Sequence, residues 1–382
     1  GPLRYVRVPN ADEVISVRFE KYSNVSTKFV DWVEKDFLDL DRWDIKQIHF
    51  DNYETVTTMV PDRNFPPQLK AMRPVHEKKS IGKYTLAYAD GNWTSANLKL
   101  DDNESLKSDV LDDVKEALDD LAIIDVAPKP SVLINERLGE MWRIYATRNK
   151  LVSEIKAGKF SKTEAKQAEL QWIRQNQASL QKNQQELEGI RASLDPKGFH
   201  LDIQLGPSGH GSTILCDKGE VHVGMKDGVE YLLRFGRVYR GNQDDENATG
   251  SSRYLYAVAR SNPSLLDPPE VQPVPKPLPQ KPPSTGDGNA TKDKDPADAV
   301  PNPEDANATA AYAKERQARS VEIASIQAAN AAKQKEYADK LAKARARVDE
   351  LNARLDEWYY VISNEVYDKI HLERKDFVER TK

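Results

Sequence analysis

The stretch GPSGHGST, from Gly206 to Thr213, comes nearest in this chain to a recognisable chemical device. Gly206 and Gly211 stand at the spacing of a phosphate-binding loop, whose backbone N–H groups cradle phosphate oxygens ahead of a lysine and a hydroxyl. Here the lysine position holds Ser212, and the TILC that follows reads as a strand where the device needs a helix N-terminus aimed at phosphate. A hairpin loop is the expectation. DGNATKDKDPAD places Asp287, Asn289, Thr291, Asp293, Asp295 and Asp298 at the ligand positions of a calcium-binding loop. Its sixth residue is Lys292 instead of the turn-forming glycine, its last ligand is not Glu and no helices flank it, so a solvated segment is expected.

The six histidines, His49, His76, His200, His210, His222 and His371, form no metal-binding pair such as H-x-x-x-H. His49 and His222 alternate with apolar neighbours and are expected to face solvent from strands. Cys216, beside Ile214 and Leu215, reads as a small buried residue and not as a nucleophile. As the one cysteine it supports neither an internal disulfide nor a multi-cysteine metal site. Asp112-Asp113 and Asp119-Asp120 fit solvated helix faces. No catalytic residue, cofactor site or metal site is therefore assigned. Trp358, Tyr359 and Tyr360 are of types that anchor interfaces; with Leu180 and Leu187 they are the candidate partner-binding residues, and packing inside the chain is the competing reading for all five.

Residues 1–130 read as a first α+β unit. RYVRVPNADEVISVRF is two short strands around a turn, and VSTKFVDWVEKDFLDLD is a helix capped by Ser26 with Phe29, Trp32, Val33, Phe37 and Leu38 on one face. Ile45, Ile48 and Phe50 alternate inward, and Asp90-Gly91 suits a tight hairpin. A helix over 104–123 carries Leu106, Val110, Leu111, Val114, Leu118 and Leu121 on one stripe. Residues 131–195 read as a helical hairpin: Leu138, Met141, Tyr145, Val152 and Ile155, a turn at Ala157-Gly158-Lys159, and a cap at Ser161. In its second helix Ile173, Leu180, Leu187 and Leu194 recur every seven residues, with Asn176 and Asn183 at the alternate positions of a coiled-coil seam.

Residues 196–261 read as a β-meander turning at Lys218-Gly219 and Asp227-Gly228. Val221, Val223 and Met225 share one face, as do Val229, Tyr231, Leu233 and Phe235. Prolines and charges across 262–306 predict an extended, mobile linker. A helix over 307–357 follows, its seam of Leu341, Ala344, Val348, Leu351, Leu355 and Trp358 expected to pack along the earlier hairpin as a three-helix arm. Residues 358–382 then return a strand and helix to the sheet. The expected class is α+β, antiparallel or mixed sheet modules with a long helical coiled-coil arm.

With 31% charged residues and a net charge of -5, both signs are interspersed, which favours neither nucleic acid nor an anionic membrane as a partner. No run of about 18 apolar residues occurs. The Gly1-Pro2 start resembles a tag-cleavage remnant, which points to a natural segment further upstream that held an anchor or a signal.

STKFVDWVEKDFLDLDRWDI, KGFHL, GEVHVGMKDGVEYLLRFGRVY and WYYVISNEVYDKIHLERKDF together resemble the bacterial family called domain of unknown function 4340. The resemblance implies an extracytoplasmic cell-envelope protein, membrane-anchored upstream, found beside gliding-type ABC transport components. It carries over no catalytic residues. The functional expectation is a non-enzymatic scaffold or protein-interaction subunit. The alternatives are a hydrolase or ligand-binding protein with a cleft between modules, and a cytoplasmic coiled-coil adaptor.

Overall fold

A computed structural model describes residues 3–7, 13–18, 36–61, 72–129, 134–206, 209–239, 252–280 and 303–380. β1 (Leu3–Arg7) and β2 (Val14–Arg18) pair as an antiparallel ribbon. β3 (Ile45–Pro61), β4 (Met72–Ala89) and β5 (Asn92–Ser95) follow, then β6 (Glu104–Leu106), α1 (Ser108–Asp119) and β7 (Asp125–Pro128). The helical hairpin is α2 (Ile134–Lys156) and α3 (Lys162–Leu194). Next come β8 (Phe199–Gly206), β9 (Gly209–Cys216), β10 (Glu220–Met225), β11 (Val229–Tyr239) and β12 (Ser252–Ser261). The chain finishes with α4 (Pro303–Leu355), β13 (Trp358–Ser363), α5 (Asn364–Ile370), α6 (Arg374–Phe377) and β14 (Val378–Arg380).

One eight-stranded sheet, ordered β5-β4-β3-β10-β11-β12-β13-β7, unites parts of the chain that lie far apart in sequence. β13 enters antiparallel between β12 and β7, pairing Tyr360 with Leu255 on one side and with Val126 on the other. The strand after the long helix therefore does return to the sheet. Its edge partner β7 comes from the first third of the chain.

Strand alternation gives the sheet two chemically distinct faces. On the first, Ile48 and Phe50, Val221 and Val223, Tyr231, Leu233 and Phe235, and Leu255, Ala257 and Ala259 form one buried cluster with α1 and the end of α4. On the second, Tyr254, Tyr256 and Tyr359 pack against α2, α3 and the β8–β9 hairpin through Leu138, Met141, Tyr145, Leu180, Leu187, Ile190, Leu194 and Phe199. At Asp90-Gly91 both residues take positive φ, 51° and 80°, the backbone that the two-residue β4–β5 turn requires.

The structure departs from the sequence reading at several places. The helix expected from Ser26 lies largely outside the described residues, and its last part, Phe37, Leu38 and Leu40, is buried without being helical. The start of the expected 104–123 helix is instead β6, held by pairing with β14 and by the Arg374–Glu104 ion pair. The first run of the expected meander folds as the separate β8–β9 ribbon, while β10, β11 and β12 join the main sheet.

The largest difference concerns the arm. The α3 seam closes on α2, with Trp172 donating from Nε1 to Thr147 Oγ1 at 3.0 Å, and the Ser161–Glu164 capping box starts α3 as its sequence indicated. The inner seam of α4, Val348, Leu351 and Leu355, packs on the opposite face of the sheet, so these two seams do not meet as a three-helix bundle. Residues 262–280 are not loose either. Gln272 N donates to Asn330 Oδ1 and Asn330 Nδ2 donates to Gln272 O, both at 2.8 Å, while Lys333 reaches Glu270 O and Tyr312 reaches Pro279 O. These bonds lay the proline-rich segment antiparallel along α4 as a strap. Proline cannot join a helix or a central strand, but an extended chain with free carbonyls suits side-chain donors on a neighbouring helix. Residues 281–302 of the expected linker lie outside the described residues.

Candidate functional site

The second face of the sheet gathers most of the buried charge. Asp51 and Glu220 are direct cross-strand neighbours, flanked by Lys83 on β4 and Arg234 on β11. Lys78 Nζ lies 3.3 Å from Asp51 Oδ2 and 3.0 Å from Glu220 Oε1. Lys83 Nζ is 3.2 Å from Asp51 Oδ2, and Arg234 Nε donates to Glu220 Oε2 at 2.9 Å. One row along, His49 faces Thr85 on one side and His222 on the other, with Nδ1 and Oγ1 2.8 Å apart and ring centroids separated by 5.1 Å. A third row pairs Glu230 with Arg260, and Asn262 donates to the same carboxylate.

Alternation explains how these residues come together, because a strand that sends every second residue into the apolar core must send the residues between them here. Their chemistry is that of fixed charge. Burial works against the Glu220 anion, yet His222 beside it and the charges of Arg234 and Lys78 hold its carboxyl far below the usual range. Burial, then the neighbouring His222, lowers His49. A general acid at neutral pH needs a carboxyl raised toward that pH, and Glu220 is displaced the other way.

A second constellation joins the base of α3 to the sheet. His200 Nδ1 lies 2.9 Å from Asp195 Oδ1, and Nε2 lies 2.7 Å from Asp217 Oδ1. Ionised carboxylates only accept, so both ring nitrogens must donate and the ring is an imidazolium. Burial opposes that charge, but the hydrogen bonds to Asp217 and Asp195 outweigh it and raise the pKa of His200. Asp217 also accepts from Arg237 Nε at 2.6 Å, and the His76 ring stacks on His200 with centroids 5.0 Å apart. Asp195 ends α3, Asp217 follows β9 and Arg237 sits on β11, so one charged ring fastens three elements.

His371 takes the opposite character. Its ring stacks on Tyr367 at 4.9 Å and meets Phe235 edge-on at 5.5 Å, and burial, with Arg253 nearby, lowers its pKa to about 4. Above pH 6.5 the ring is neutral in both folded and unfolded chains. As pH falls toward 4 the unfolded chain takes up a proton that the folded one refuses, so stability is lost across that window, by up to about 3 kcal/mol at ~1.4 kcal/mol per pH unit. His49 and His76, also lowered, act in the same direction. Urea titrations of His371→Phe should show a shallower loss of stability between pH 6.5 and 4; an unchanged slope would remove His371 from this account.

The candidate partner-binding residues serve inside the molecule. Tyr359 is 1% exposed and stacks on Phe199 at 5.8 Å, while Tyr360 is 4% exposed and stacks on Phe37 at 4.3 Å. Trp358 is half-buried against the first-face core. Leu180 and Leu187 are buried in the second-face cluster. Lys129, missed by the sequence reading, donates from Nζ to Leu355 O at 2.6 Å over the Tyr256 ring, capping the C-terminus of α4; burial lowers it to about 8.

Cys216 donates to Gly219 O at 2.9 Å and lies 3.2 Å from Tyr53 Oη; burial pushes its thiol up to about 12, so it stays protonated. Gly206 and Gly209 close the β8–β9 hairpin, in keeping with a loop and not a phosphate cradle, though residues 207–208 lie outside the described set. The calcium-like stretch 287–298 lies outside it as well. Among the described residues no cluster of three or more His, Cys, Asp or Glu is arranged to hold a metal, and no helix is long and apolar enough to cross a membrane.

Residues 1–137 match the family described as Domain of unknown function (DUF4340). The KDGVEYLLRFG and WYYVIS runs, on β11 and β13, lie outside the match. No curated protein matches the chain significantly, and no solved structure does.

Proposed function

We propose that this protein is a non-enzymatic scaffold of the bacterial cell envelope, anchored through an upstream segment, whose α4 arm binds another protein in a transport or gliding-type assembly. The observation that carries the reading is α4 itself. Its 53 residues span ~80 Å, yet only the last turns enter the core. Farther out, the stripe of Ile323, Ile326, Asn330, Tyr337 and Leu341 is only half-buried where the strap runs along it through Asn330 and Gln272, and Val321 is 63% exposed. A helix this long stabilises no fold by being solvated along most of its length. Its extent fits contact with something outside the chain, and the strap fixes its direction. The envelope location and the transport connection rest on the family resemblance.

The test is recovery of a partner from envelope extract by the intact chain and by one lacking the strap and outer α4. A partner that depends on the arm supports the reading, and a partner that binds both equally contradicts it.

A further inference from the structure

The net charge of -5 conceals a local excess of the other sign at the turn of the α2–α3 hairpin. Between 148 and 166 stand Arg148, Lys150, Lys156, Lys159, Lys162 and Lys166, against Glu154 and Glu164 alone. Both anions are already engaged. Glu164 closes the cap of α3, accepting from Ser161 N at 2.8 Å, and Glu154 lies 3.6 Å from Lys159. All five lysines are exposed, no residue from 146 to 171 is buried, and Phe160 stands half-buried in the turn between Lys159 and Lys162.

We infer that this turn is an electrostatic docking point for a bilayer surface carrying anionic phospholipid headgroups. The placement of the charges favours that partner over an acidic protein. At ~100° per residue, Lys150 projects from α2 about 200° away from Arg148, and Lys156 about 80° away, so the cations ring the end of the hairpin instead of lining one flank. A protein face would meet one side of a helix, whereas a planar anionic surface meets the end and uses the whole ring. Lys150 and Lys166 lie within ~9 Å of the turn along their helices, close to the ~8 Å over which charge acts at physiological salt. Phe160, half-buried on its own helices, adds little insertion, so binding should be dominated by charge and weakened by salt.

The inference is independent of the α4 reading, since the hairpin and α4 pack on opposite faces of the sheet. It runs counter to the expectation, formed from whole-chain charge, that the chain favours neither nucleic acid nor an anionic membrane. The experiment is co-sedimentation of the full chain with vesicles of phosphatidylcholine alone and of phosphatidylcholine with phosphatidylglycerol in equal parts. The intact chain should bind only the latter. Lys156→Gln, Lys159→Gln, Lys162→Gln and Lys166→Gln combined should bind about a thousand-fold more weakly. The same four positions as Arg should retain binding, and all variants should keep the parent's helix signal and melting midpoint. Failure to bind the anionic vesicles, equal binding to neutral ones, or full binding by the Gln variant would overturn the proposal. So would capture of duplex DNA or an acidic protein by the turn without vesicle binding.

Discussion

Glu220→Gln should lower the free energy of unfolding by about 3 kcal/mol, measured by urea titration at neutral pH. The carboxylate is almost fully buried and answers two cations, Arg234 at 2.9 Å and Lys78 at 3.0 Å. Neutralising it leaves Arg234, whose side chain is only 12% exposed, without its ionic partner, and leaves Lys78 to Asp51 alone. The loss is therefore mainly the cost of stranded charge, not the worth of one ion pair. A double-mutant cycle with Arg234→Gln separates the two: the double variant should be less destabilised than the sum of the singles by at least about 1 kcal/mol. Additive effects, or a Glu220→Gln protein within about 0.5 kcal/mol of its parent, would show that the second-face network is solvated and carries no structural weight.

The family-matched segment, residues 1–137, should not fold by itself. Its strands β3, β4 and β5 stand at one end of the sheet and its β7 at the opposite edge, with β10, β11, β12 and β13 between them. Cut away from these, β7 has no neighbour to pair with and β3 loses β10. Ile48 and Phe50, both fully buried in the intact chain, then lose much of their packing. Each such side chain contributes about 1.5–3 kcal/mol when buried, against a total stability of about 5–15 kcal/mol for an ordinary domain. The isolated segment should give a collapsed amide NMR spectrum and no cooperative melt. A dispersed spectrum with a sharp transition would mean that the N-terminal strands form a sheet of their own.

Local chemistry was legible in the sequence where a few neighbouring residues decide it. Asp90-Gly91, Lys218-Gly219 and Asp227-Gly228 do mark turns, and Ser161 caps α3 through Glu164. Ile45, Ile48, Phe50, Val221 and Val223 do face inward, as expected. Pairings over long separations left no such trace. Nothing near Tyr360 announces that it will lie beside both Leu255 and Val126. The polar face was hidden for a related reason: on each strand Asp51, His49, Glu220 and His222 look like ordinary solvent positions, and only sheet order reveals that they neighbour one another. The strap escaped notice because composition registers prolines and charges but not the Asn330 amide that closes on Gln272 from 58 residues away.

The scaffold reading stands or falls on whether the α4 arm is there for binding and not for folding. The strap lies on outer α4 through Lys333 to Glu270 O and through Asn330 to Gln272, so joining residue 267 to residue 341 removes strap and outer helix together. The measurement is the melting midpoint of that shortened chain together with its recovery of partners from envelope extract, beside the intact chain. The account predicts an unchanged midpoint and the loss of a protein that the intact chain retains. A shortened chain that unfolds, or one that keeps every partner of the parent, would contradict it.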